Sequence, residues 1–276
     1  MKYGLLFLVM SLSIVGCGET PTSQLREEFP ILRSGPHDME FAFIPRGTFR
    51  MGSPEGEEGR VDNESRHWVK LTEDYWMQTK EVTRGQWFKV MGSYPGVDGN
   101  CYKWAVIKKE ENHPIVCVNT YDIQSFIDKL NNNERGSGYK YDLPTEAQWE
   151  YAARAYAEGA YSVNKPVNSF AWHSENTDLH TEPVGGLEPN LFGLYDVHGN
   201  VWERVSDWFE SYDYPKENSF LNPVIDPKGP EDATQRVVRG GGYSNREILC
   251  RSATRDGSQL DYRESTVGFR LRRTKI

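Results

Sequence analysis

The chain has 276 residues, with 32 basic and 40 acidic side chains and a formal net charge of -8. No block of Lys/Arg forms the footprint a nucleic-acid partner needs, which excludes DNA and RNA binding. Apolar content is 37%, yet there are 8 Trp, 15 Tyr and 12 Phe beside 25 Gly and 15 Pro, a composition that predicts a loop-heavy fold packed around aromatic rings rather than a helical bundle.

The chain opens MKYGLLFLVMSLSIVGC. Lys2 supplies a positive start, and Leu5 to Val15 form an apolar run of about a dozen residues, long enough for a signal core and too short to span a bilayer as a helix. Ile14, Val15 and Gly16 before Cys17 look like a lipobox. That arrangement predicts a leader over 1–16, cut before a lipidated Cys17. The competing reading is an ordinary secretory leader with a chance cysteine. Gly18 rather than Asp follows, which in double-membrane bacteria points to the outer membrane. No later apolar stretch is long enough to cross a membrane, so lipid is the expected anchor at the cell envelope.

Residues 17–36 are polar, Pro-containing and without periodicity, and read as a tether. One domain is expected over 37–276. FAFIPRGTFRMGS reads as a strand followed by a turn, and HWVKLTEDYWMQTKEVT as extended structure. Thr83 opens a capping box with Gln86, predicting a short helix to Met91. Another helix follows Thr120, with Ile123, Phe126, Ile127 and Leu130 at helical spacing. Cys101 and Cys117 flank a polar loop and are expected to pair, leaving Cys250 as the odd thiol. Thr145 with Gln148 marks the clearest helix start. Residues from about 158 to 190 read as irregular, and RVVRGGGY and TVGFRLRR as short strands. The result is an α+β domain with much loop.

Five segments in order carry a resemblance: GTFRMGS with EVTRGQW after it, LPTEAQWEYAARA, NLFGLYDVHGNVWERVSDWF, RVVRGGGYSN, and CRSATRD with STVGFRLRR. Together they are similar to the formylglycine-generating enzyme (sulfatase-modifying factor) family, from about Asp38 to Arg273. The resemblance implies a C-type-lectin-like mixed topology with little regular structure. It also implies an oxidase with two copper-binding cysteines shortly after the GGSY-like segment, since soft thiolates are what copper(I) requires. Here Ser244 to Leu249 separate GGGY from Cys250, which lies beside RSATR rather than at either copper position. Gly242 stands where the oxidase has serine, and Thr266 where it has asparagine. Copper-dependent formylglycine formation is therefore not expected, and no catalytic residue is assigned beyond Cys250 as a weak candidate. The other reading of Cys250 is a small buried apolar residue. Iron, used by some relatives through an additional helical domain, is not expected either.

In the family, the segment matching DVHGNVWE wraps a calcium ion. The resemblance implies carboxylates from Asp196 and Glu203 and carbonyls from Gly199 and Val201, an oxygen set suited to a structural calcium. The alternative is a tight turn in which Asp196 caps backbone amides. Arg204 replaces a tryptophan common after the WE pair. The six histidines (His37, His67, His113, His173, His180 and His198) form no close ligand pair. Glu188-Pro189-Asn190 spells a lectin tripeptide but belongs to this family's own pattern. Trp202, Trp208, Phe209, Tyr212 and Tyr214 offer either core packing or a stacking surface. No Gly-rich phosphate loop supports a nucleotide. The expected function is a lipid-anchored binding or assembly module holding an envelope protein or glycan. The rival is an envelope enzyme of the same superfamily modifying an exported substrate.

Overall fold

Three helices begin at side chains that close capping boxes. Thr83 Oγ1 accepts the Gln86 amide and Gln86 Oε1 accepts the Thr83 amide, both at 3.1 Å, opening α1 (Arg84–Met91). Asn119 and Asp122 exchange the same bonds ahead of α2 (Thr120–Asn133). Thr145 and Gln148 do so ahead of α3 (Glu146–Arg154). Each box satisfies two of the amides that a helix start leaves without intrahelical partners.

The computed structural model describes residues 31–32, 35–95, 101, 110–210 and 218–276. The leader over 1–16, Cys17 and most of the tether lie outside the described residues. Within the expected tether, Ile31–Leu32 form β1, an edge strand paired to Phe41 and Ala42 of β2 (Phe41–Ile44). Backbone pairing to an open sheet edge orders this dipeptide, which has no periodicity of its own.

FAFIPRGTFRMGS is also corrected, from one strand to two. Pro45, which has no amide to donate, follows β2, and the chain re-enters as β3 (Gly47–Met51) in a different sheet. The remaining strands are β4 (His67–Leu71), β5 (Tyr75–Gln78), β6 (Tyr139–Asp142), β7 (Trp202–Trp208), β8 (Val224–Ile225), β9 (Gln235–Arg239), β10 (Arg255–Gln259), β11 (Val267–Gly268) and β12 (Arg272–Lys275). They form sheets ordered β1-β2-β5-β12-β6, β10-β9-β7-β11 and β3-β4-β8. Pairing is antiparallel except at β11–β7 and β4–β8. The fold is α+β, mostly sheet with few helices, and 155–201 holds only one short 3-10 turn, Val167–Ser169.

Two apolar cores result. Helices α1 and α2 cover the five-stranded sheet with Trp87, Ile123, Phe126 and Leu130 against Phe41, Phe269 and Leu271. Trp87 stacks on Phe126 with centroids 5.1 Å apart. The second core sets Ala147, Trp149 and Ala152 of α3 against Met51, Val69, Val205 and Val237. Among the described residues, no helix is long and apolar enough to cross a membrane. Cys101 and Cys117 are joined by a disulfide, Cα atoms 5.8 Å apart, packed with Val116, Val201 and Tyr243.

Candidate functional site

The turn leading into β7 is held from both sides. Gly199 donates its amide to Gly240, Asn200 donates to the Trp172 carbonyl, and the Tyr243 amide donates to the Asn200 carbonyl. Gly199 has φ +96°, and a Cβ there would lie 2.0 Å from the Trp172 carbonyl oxygen. Only glycine fits that approach. Asp196 and Asn200 also take left-handed backbone, at φ 57° and 58°, where a short polar side chain is tolerated.

Behind this turn lies a buried cluster of carboxylates. Glu203 accepts two bonds of 2.6 Å from Arg270 and one of 2.7 Å from Trp149 Nε1. Glu81 accepts from Asn200 Nδ2 at 2.8 Å and from the Val201 amide at 3.2 Å. Asp196 Oδ2 accepts the Gly185 amide at 2.6 Å, whereas Oδ1 is buried without a hydrogen-bond partner. Burial pushes the Glu81 carboxyl well above the usual range, with Asp196 and Glu203 adding to it. Burial likewise raises Asp196 to about 6, opposed by the Gly185 amide and Arg270. Three carboxylates thus share one guanidinium, Arg270, an excess of negative charge that burial makes costly.

For the calcium that the resemblance implies, the cluster fits in two respects and fails in one. The excess charge and the unpartnered Asp196 Oδ1 suit a cation. Glu203 does not: both its oxygens are taken by Arg270 and one also by Trp149. Among the described residues, no three His, Cys, Asp or Glu side chains come together as a metal-binding group. Glu203 is thus the ion-pair partner of Arg270, whose bidentate guanidinium takes both its oxygens.

On the other face of the same turn stands the GGGY segment. Asn245 Oδ1 accepts from Trp202 Nε1 at 2.8 Å and from the Gly242 amide at 3.0 Å. Tyr243 is buried, its hydroxyl near Ser265. A Cβ at Gly242 would meet Asn200 O at 3.4 Å, an ordinary contact, so nothing in the backbone demands glycine there. Cys250 is fully buried, and its Sγ would lie 2.8 Å from a Cβ on Gly241. Burial pushes its thiol up to about 12, with Glu247 adding to the effect. Such burial suits the reading of Cys250 as a small packed apolar residue.

The other residues singled out in the sequence have structural partners. Arg204 is buried and donates to Ser258 Oγ at 2.6 Å, tying β7 to β10, and burial lowers it to about 10. His198 is held neutral, lowered to about 4 by burial, between Ser162 and the Cys250 carbonyl. His173 faces Asn168 at 2.7 Å, and His180 lies 3.3 Å from Glu182. Asn190 bonds the Ala152 and Ala153 carbonyls, so the Glu-Pro-Asn tripeptide is a brace under α3. Trp202 is buried and Trp208 lies beneath Arg236, centroid 3.6 Å from its Cζ. Tyr212 and Tyr214 lie outside the described residues. Glu81 and Arg270 were missed in the sequence reading. Arg270 carried a signal, a charge between Phe269 and Leu271; Glu81, next to Lys80, carried none.

The sulfatase-modifying factor enzyme 1-like domain matches residues 33–275. The formylglycine-generating enzyme of Streptomyces coelicolor is 33% identical over 58% of this chain and 52% of its own length. That of Thermomonospora curvata is 32% identical over 67% of this chain and 62% of its own. The chain thus spans about half to three fifths of these relatives. PvdO from Pseudomonas aeruginosa superposes with a TM-score of 0.74 at 26% identity, covering 90% of this chain and 98% of that one. A match running through every sheet and helix described above settles the relationship: the chain belongs to the sulfatase-modifying factor family.

Proposed function

We propose that this chain is a lipid-anchored cell-envelope protein whose domain acts as a binding or assembly module rather than as a formylglycine-generating oxidase. The observation that carries this reading is the state of its thiols. Cys101 and Cys117 are bonded to each other, and Cys250 is the free cysteine of the described residues, buried and strongly protonated. A copper(I) site of the family's kind needs two accessible thiolates. The lipobox ending at Cys17 supports an anchor in the envelope, at the outer membrane in a double-membraned organism. The partner would be an exported protein or an envelope glycan. Calcium enters as a structural ion held by Asp196 with the carbonyls of Gly199 and Val201; its chemistry is to neutralise the buried carboxylates, not to react.

Elemental analysis of the purified full chain, with Cys250→Ser as control, tests the reading. No stoichiometric copper or iron is expected in either protein. Copper or iron present in the parent and lost in Cys250→Ser would overturn it. Pull-down from detergent-solubilised envelope should recover a specific partner, and recovery of none under mild conditions would count equally against it.

A further inference from the structure

Away from the turn and the GGGY segment, the three-stranded sheet and the end of α3 enclose an open pocket of about 230 Å³. Its floor is Phe49 of β3 against Tyr151 of α3, centroids 5.1 Å apart. One wall is Trp68 of β4, with Phe220 edge-on at 5.1 Å. The opposite wall is Tyr156, edge-on to Tyr151 at 6.3 Å. Tyr156 is 49% and Phe220 59% exposed, so both rings present open surface to the pocket's mouth.

Tyr156 is held there at a cost. Ala155 and Tyr156 follow α3 with φ 45° and 72°, two successive left-handed residues neither of which is glycine. A bulky residue at positive φ is a strained arrangement that persists where the surroundings impose it and clusters at binding sites. Here the result is an aromatic ring turned outward beside a cavity.

The charges at the mouth restrict the occupant. Arg50 lies over Trp68 with its Cζ 4.8 Å from the ring centroid. Arg66 pairs with Glu158 at 3.1 Å, and the Glu158 side chain is 72% exposed. The charged side chains that line the pocket are Arg50, Arg154 and Glu158. A cation would meet the two arginines, an anion would meet Glu158, and a hydrocarbon would strand all three. A neutral ligand with flat C–H faces and many hydroxyls meets none of these objections. Its ring faces stack on Tyr156 and Phe220, and its hydroxyls bond the carboxylate and guanidinium rim.

We infer that this pocket is a saccharide site that takes a short, uncharged oligosaccharide. The inference rests on the reading of the chain as a binding module and names its partner class. Isothermal titration calorimetry of the full detergent-solubilised chain with chitotriose, cellotriose and maltotriose tests it. At least one of the three should bind with a Kd of roughly 1 mM or tighter. Tyr156→Ala and Phe220→Ala should each weaken that binding tenfold or more with the melting profile of a folded domain retained. No heat from any of the three at roughly 10 mM, or binding indifferent to both substitutions, overturns the assignment. So does binding of the tripeptide Gly-Tyr-Gly at the same rings with no saccharide bound. A chain that binds saccharide here yet captures no envelope partner would sink the assembly reading and leave this one standing.

Discussion

Arg270 clasps Glu203 through two N–H···O bonds of 2.6 Å, and each side chain is only 1% exposed. Arg270 also donates to the Gln78, Thr79 and Tyr195 carbonyls. The pair therefore ties together β7, the end of β5, the loop at Tyr195 and the segment between β11 and β12. Arg270→Met should destabilise the chain by about 3–5 kcal/mol, since it leaves a buried carboxylate without its counter-charge. Urea unfolding measures this. The double variant Glu203→Leu/Arg270→Met should recover part of the loss; a double variant as unstable as the sum of both singles would refute the pairing argument.

Calcium should raise the melting temperature at pH 7.5, and Asp196→Ala should abolish that rise. At a concentration 100 times its Kd, a ligand confined to the folded state adds about 2.7 kcal/mol. Differential scanning calorimetry with calcium and then with chelator reads the shift. Equal melting in both would remove the ion from this turn.

Asp207 predicts a pH dependence of its own. It is buried, and burial with the nearby Glu146 carboxylate raises it to about 7. Its folded pKa lies above its unfolded value near 4, so its contribution is full below pH 4 and is lost as pH rises through 7. The loss is on the order of 4 kcal/mol. Asp207→Asn keeps an oxygen to accept from the Glu146 amide and the Ser206 hydroxyl, the bonds Asp207 Oδ2 now makes. Chemical denaturation at pH 5 and pH 8 should show the variant gaining most at pH 8. A variant with the parent's pH slope would assign the dependence elsewhere.

Two glycines should behave oppositely. Gly199→Ala places a Cβ 2.0 Å from a carbonyl at φ +96° and should cost more than about 4 kcal/mol or prevent folding. Gly242→Ser meets its nearest atom at 3.4 Å and should cost about 1 kcal/mol or less. Expression and melting of the two variants side by side check the contrast.

Thiol counting tests the cysteine assignments. Cys17 aside, the native chain should not react with a thiol reagent, because Cys250 is buried and raised to about 12. Non-reducing denaturant should release Cys250 alone, and reduction should add Cys101 and Cys117. Mass mapping that finds Cys101 or Cys117 labelled without reductant would break the pairing.

Helix starts were legible because capping is local: Thr83–Gln86 and Thr145–Gln148 lie within four residues of one another. The second helix, expected after Thr120 from its apolar spacing, begins at Thr120 itself with Asn119 as its cap. Strand β7 was hidden for a different reason. Its buried positions include Glu203, Arg204 and Asp207, whose partners Arg270, Ser258 and Glu146 are more than fifty residues away. Charges buried by distant partners erase the apolar alternation that marks a strand. Likewise β10 reads RDGSQ and owes its extension to the ladder with β9. The site followed the same pattern. Its motif residues could be named, but whether Glu203 faced a cation or Arg270 depended on contacts no local spacing records.

The five-stranded sheet has one further consequence. Strand β12, formed by residues 272–275, lies inside it between β5 and β6 rather than at an edge. The sheet cannot close until those residues find partners nearly two hundred and about 130 positions earlier, a high-contact-order step that is slow by nature and makes this seam the last part of the sheet to lock.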